Sequence, residues 1–99
     1  MDATAIALSG MRAAQARLDG AAHNIANVQT EGFQRLQVRS EAQLPAGGVR
    51  TRAERVPVPG ADLAADLVEQ KQAAVAFAAN GQVVRREQQM LGRWLDTEA

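Results

Sequence analysis

The chain has 99 residues with 11 Lys and Arg against 11 Asp and Glu, no Cys, and a hydrophobic share of 46% in which 21 residues are Ala. That length holds one small domain. Without cysteine no disulfide can stand in for a thin core, and zero net charge does not favour a chain built to coat nucleic acid or an anionic membrane.

The N-terminus opens Met-Asp-Ala-Thr-Ala-Ile-Ala-Leu, with an acid where a secretory signal carries Lys or Arg, so no cleaved signal is expected. No window reaches the roughly 20 apolar residues of a membrane span. From Thr4 a four-three spacing selects Leu8, Met11, Gln15, Leu18, Ala22 and Ile25, which predicts an amphipathic helix over residues 3–28 with a coiled-coil-like stripe. Asn27 and Gly32 predict a turn, because Asn favours helix ends and Gly accepts a positive φ.

Residues 33–38 and 49–58 read as extended, with Leu44-Pro45-Ala46-Gly47-Gly48 as the loop between them. Pro57 and Pro59 make the end of the second segment an edge or a linker. After Pro59-Gly60 a second stripe runs through Leu63, Leu67, Gln70, Ala74, Phe77, Gly81, Val84, Gln88, Leu91 and Leu95. It predicts a helix of about 35 residues, roughly 50 Å long. Asn80-Gly81 is a turn-forming dipeptide, but the stripe stays in phase beyond it, so one helix is expected, with Gly81 as the place for a kink.

The fold expected is mainly α: two long terminal helices packed as an antiparallel coiled-coil-like hairpin around a short β-hairpin or extended excursion. Residues 1–33, 34–60 and 61–99 are its parts, all in one structural domain. The stripe carries few bulky side chains and several Gln, so a lone helical hairpin is poorly supplied and assembly with other copies is expected.

Catalysis needs a positioned set of reactive groups, and the chain offers one His, two Ser and no Cys. No catalytic residue, cofactor site, metal site or small-molecule substrate is expected. His23 alone lacks the ligand count of a zinc site and reads as a surface or interface residue. Arg35, Arg39, Arg50, Arg52 and Arg55 cluster in the middle segment, but no aromatic residues interleave with them, so solvated arginines outweigh a nucleic-acid-binding ribbon.

Ala7-Leu8-Ser9-Gly10-Met11, Ala13-Ala14-Gln15, Leu18-Asp19, Asn24-Ile25-Ala26-Asn27 and Thr30-Glu31-Gly32-Phe33 together resemble the N-terminal signature of the bacterial flagellar rod and hook protein family. Asp62-Leu63-Ala64, Leu67-Val68, Ala76-Phe77-Ala78-Ala79-Asn80, Val83-Val84 and Met90-Leu91 resemble its C-terminal helix. His23, Glu31 and Gly81 depart from the family pattern, and the segment between the signatures is much shorter than a usual central domain.

The resemblance implies a non-enzymatic, self-assembling axial component of the flagellar basal body. It also implies other rod and hook proteins and the flagellar type III export apparatus as partners, with the periplasmic rod as its location. The residues it marks for assembly are Leu8, Met11, Leu18, Asn24, Ile25, Asn27, Thr30, Gly32, Phe33, Leu63, Leu67, Phe77, Asn80, Val84 and Leu91. The alternatives are a cytoplasmic helical adaptor related to rod proteins and, behind it, the arginine ribbon as a nucleic-acid binder.

Overall fold

A computed structural model describes residues 2–98 and contains four elements: helix α1 (Ala3–Ala26), strands β1 (Leu36–Ala42) and β2 (Val49–Arg55), and helix α2 (Leu63–Glu98). The mainly helical fold with a small antiparallel hairpin between the helices is the one the sequence predicts. Asp2 starts α1 by accepting the Ala5 N–H at 2.7 Å, a side-chain cap for a donor with no partner inside the helix. Asp62 does the same for the Ala65 N–H of α2 at 3.1 Å.

α1 stops at Ala26, two residues before the expected limit, because the Asn27 N–H closes on the His23 and Asn24 carbonyls and the Asn27 side chain donates back to the His23 carbonyl at 2.9 Å. α2 passes through Asn80-Gly81 without interruption. There the Asn80 amide donates to the Ala76 carbonyl one turn back, at 2.8 Å, instead of making a turn.

The helices run antiparallel, and their contact is rotated by one residue, about 100°, from the stripes read in the sequence. On α1 the residues facing α2 are Ala7, Gly10, Ala14, Arg17, Ala21 and Asn24, a three-four repeat of mostly small side chains, of which Ala7, Ala14, Ala21 and Asn24 are buried. On α2 the buried Asp66 and Ala73 lead to Asn80 at seven-residue steps. Small residues win the contact because they let the backbones close up. A Cβ on Gly10 would come within 2.7–2.9 Å of the Asn80 side chain. Leu8, Leu63, Leu67 and Phe77, expected in the seam, lie beside it and remain 37–48% exposed.

A second face of α1 carries the hairpin. The Val49 N–H donates to Ser9 Oγ at 3.0 Å, and a Cβ on Gly20 would meet Val38 Cγ2 at 3.0 Å. β1 and β2 pair in register from Leu36 opposite Arg55 to Ala42 opposite Val49. Alternation along each strand sends Leu36, Val38, Val49 and Thr51 inward and Gln37, Arg39, Arg50 and Arg52 outward. The second strand ends at Arg55, short of the expected Val58. Pro57 and Pro59 cannot donate to a ladder, so this stretch is tied instead by Val56 N–H to the Arg35 carbonyl and Gly60 N–H to the Phe33 carbonyl.

α1 is therefore the middle element, with α2 on one side and the hairpin on another. The result measures 63 × 25 × 13 Å, with a radius of gyration of 17.4 Å, against about 13 Å for a compact chain of this length. Its accessible surface is 7151 Å², where a globular protein of this mass exposes about 5,400 Å². Among the described residues the buried apolar ones are all alanines, namely Ala7, Ala13, Ala14, Ala21 and Ala73.

Candidate assembly surface

At one end of the plate, three elements meet on a buried polar cluster. Asn24, 3% exposed, projects from α1 and treats Leu36 as a strand neighbour would. Its Nδ2 donates to the Leu36 carbonyl and its Oδ1 accepts the Leu36 N–H, both at 2.8 Å. The same Nδ2 reaches Asp66 Oδ1 on α2 at 3.1 Å. Asp66, equally buried, also receives Arg35, whose Nε lies 3.2 Å from Oδ2 and whose second guanidinium nitrogen bonds Oδ1. Among the described residues no buried side-chain nitrogen or oxygen lacks a partner.

The hydrogen bond to Asp66 is the main reason the Arg35 guanidinium holds its proton above the ordinary range. Partial burial opposes it, and the negative charges of Asp66 and Asp62 add to it. Arg17 pairs with Glu69 farther along the same groove. An open hollow of about 480 Å³ lies between the helices and the base of the hairpin, bordered by Arg17, Asn24, Arg35, Val38, Asp66 and Glu69. Its charged groups are engaged with one another. That arrangement stitches elements together rather than presenting unpaired groups to a ligand.

The turn after α1 is held locally. Thr30 Oγ1 donates to Asn27 Oδ1 at 3.1 Å and the Thr30 N–H donates to the Asn27 carbonyl at 3.0 Å. Gly32 takes φ 71°, which a side chain would strain. Phe33 then folds back with its ring 5.4 Å from that of His23, tilted by 59°. Met11, Leu18, Ile25 and Val84 are half-buried beside the helix contact, and Asn80 faces Gly10 across it.

The structure thus gathers Asn24, Asn27, Thr30, Gly32 and Phe33 at one end of the plate, whereas Leu91 sits near the other, 65% exposed. Asp66 and Arg35, central to the polar cluster, were not singled out in the sequence as site residues. Neither were the small residues of the seam, although Ala7, Ala14 and Ala21 stand seven apart and so mark a heptad position.

Two further surfaces complete the picture. The outer face of the hairpin carries alternating charges, with Arg39 3.3 Å and Arg52 2.6 Å from Glu54. These arginines are already neutralised in part, which weakens the ribbon as a phosphate-binding surface. Bulky apolar side chains lie outside on α2: Leu63 and Leu67 toward one end, Met90, Leu91, Trp94 and Leu95 toward the other. Among the described residues no helix is long and apolar enough to cross a membrane, and no group of three or more His, Cys, Asp or Glu could hold a metal ion.

A model of the flagella basal body rod protein family matches residues 5–34. The match begins within the first turn of α1 and ends just after Phe33, so it spans the helix, its Asn27 stop and the Gly32 turn in one piece. The resemblance read from the residues is met over this segment. No match to a curated protein was found.

Proposed function

We propose that this chain is a non-enzymatic structural subunit of the flagellar basal body, assembling through the outer faces of its terminal helices with copies of itself and with other axial proteins. The observation that carries this reading is the rod-family match over residues 5–34, which covers all but the first two residues of α1 and the turn after it. The shape supports it. A plate 13 Å thick whose largest apolar groups face outward has spent its small residues on internal contact and kept its bulky ones for external contact, the pattern of a part that is finished by its neighbours.

In this mechanism the polar cluster of Asn24, Arg35 and Asp66 fixes the angle between α1, α2 and the hairpin. Leu63 and Leu67 are then presented in a set geometry. Travel to the rod would use the flagellar type III export apparatus.

Fractionation of cells carrying a tagged full chain tests the proposal. Copurification with basal bodies, and retention in the cytoplasm when the export gate is deleted, are expected. Cytoplasmic residence in cells with an intact gate, with normal rods and motility after gene deletion, would overturn it in favour of an adaptor.

A further inference from the structure

The hydrogen bonds at the two ends of the hairpin fix which backbone groups it leaves over. Val56 N–H donates to the Arg35 carbonyl at 2.7 Å and Gln43 N–H to the Gly48 carbonyl at 2.9 Å. Cross-strand bonds of an antiparallel pair recur at every second residue, so in this register they fall within β2 on Arg50, Arg52 and Glu54. Val49, Thr51, Ala53 and Arg55 turn their N–H and carbonyl groups to the outer edge. Two further contacts agree with this phase: the Val49 N–H leaves the sheet for Ser9 Oγ, and on the other edge Asn24 takes both groups of Leu36. Beyond Val49, nothing among the described residues takes the outward groups of Thr51 or Ala53.

The two edges are not equivalent. The β1 edge starts out closed by Asn24, and the hollow beside it is bordered by charges already paired. The β2 edge borders a second hollow of about 380 Å³, whose helix wall is Ala16, Asp19, Gly20 and His23 and whose strand wall includes Thr51 and Ala53. Ala16 and His23 stand two residues, about 200°, past the heptad position of Ala14 and Ala21 that meets α2, so this flank of α1 is turned away from α2. An edge is ordinarily blunted by charge or proline. Here Thr51 and Ala53 are small and uncharged, and the first proline, Pro57, comes after the strand ends.

We infer that the β2 edge is a docking site for an extended segment of a partner protein, which adds a third strand and lies between β2 and the outer flank of α1. An unpaired strand edge accepts extended backbone, and the pockets beside it choose the side chains. Residues opposite Thr51, Ala53 and Arg55 in an antiparallel third strand point the same way as they do, toward the hollow. Two of these must be small and uncharged, since Ala16 and Gly20 leave room for little more and Asp19 repels an acid. The third lies beside Arg55, which is exposed and makes no ion pair among the described residues, and an acid suits it. The segment therefore reads acid, any residue, small, any residue, small. This site is separate from the helix faces on which the rod reading rests.

Amide NMR of the full chain tests the site, with the blocked peptide Ser-Gly-Glu-Thr-Val-Thr-Ala-Gly-Ser as probe. Saturable shifts at Asp19, His23, Thr51, Ala53 and Arg55 are expected, with slower solvent exchange of the Thr51 and Ala53 N–H groups. Thr51→Pro removes an N–H that the hairpin does not use, a substitution an edge strand tolerates, and should weaken binding at least about tenfold, whereas Thr51→Val should not. Arg55→Glu should weaken binding too, and a peptide with Lys in place of Glu should restore it. No saturable shift at about 10 mM peptide, shifts confined to other surfaces, or equal binding by a folded Thr51→Pro variant would overturn the inference. So would a dimer of the free chain in which the Thr51 and Ala53 amides are already protected, since a second copy would then hold the edge. None of these results bears on fractionation, which decides the rod reading.

Discussion

The two ends of α2 carry opposite solutions to the same problem. Over its first half the face toward α1 is built from Ala73, Asn80 and the buried Asp66, and the helices close tightly enough that Gly10 has no room for a Cβ. Over its last turns the same face carries Leu91 and Trp94, 65% and 71% exposed among the described residues. Side-chain size therefore separates the two stretches, small where the chain packs on itself and large where the face is exposed, and in this fold the usual association of bulk with burial is reversed.

The sharpest way to break that contrast is at the polar cluster. Asn24→Ala leaves the Leu36 N–H and carbonyl without their side-chain partner and takes one of two donors from Asp66 Oδ1, which keeps Arg35, and an unmade hydrogen bond in a buried site is costly. A destabilisation of about 3 kcal/mol is expected in chemical unfolding, and wild-type stability in this variant would show that the clamp is incidental. The Arg35 contribution has its own sign. Because its folded pKa is raised, the stabilisation is complete below the unfolded value and is lost only as pH climbs past the folded one. Melting should lose nothing on its account between neutral and mildly alkaline pH.

Next in size is Gly10→Leu, which drives a side chain into Asn80 and should cost about 1–3 kcal/mol. Adding Asn80→Ala should recover part of the loss in thermal melting. Phe77→Ala comes third. The seam position read from the sequence would make it worth around 3 kcal/mol, but at 37% exposure about half of that is expected. The smallest effect on the monomer belongs to Leu63→Gln with Leu67→Gln, within about 0.5 kcal/mol as for other exposed positions. The same pair should reduce recovery of the protein in basal-body fractions, and unchanged recovery would remove these two leucines from the assembly surface.

Much of the architecture was legible. Four-three spacing located both helices, Asn27 and Gly32 marked the turn, and Gly47-Gly48 marked the loop of the hairpin. The phase of the helix contact was misread for a physical reason. A search for apolar stripes follows Leu8, Met11, Leu18, Leu63 and Leu67, which supply most hydrophobicity, whereas close approach is governed by the absence of side chain at Ala7, Gly10, Ala14 and Ala21. The polar cluster was half visible. Asn24 could be picked from its motif, but its partners Leu36 and Asp66 lie 12 and 42 residues away, and no local pattern in the sequence links them. Asp66 reads as an acid placed to suit the helix dipole until the fold brings Arg35 to it.

The central position of α1 has a consequence for how the chain acquires its structure. Neither strand packs directly against α2, and apart from the Arg35–Asp66 pair at the base of the hairpin each flank takes its footing from α1. The hairpin begins docking 12 residues from Asn24 and ends 40 residues from Ser9, while α2 starts at a separation of 42 and must return across the whole intervening chain to bring Asn80 to Gly10. Non-local closure is the slow part of folding. Joining of the two helices is therefore expected to be the late step, and any agent that keeps α1 occupied would hold both flanks apart at once.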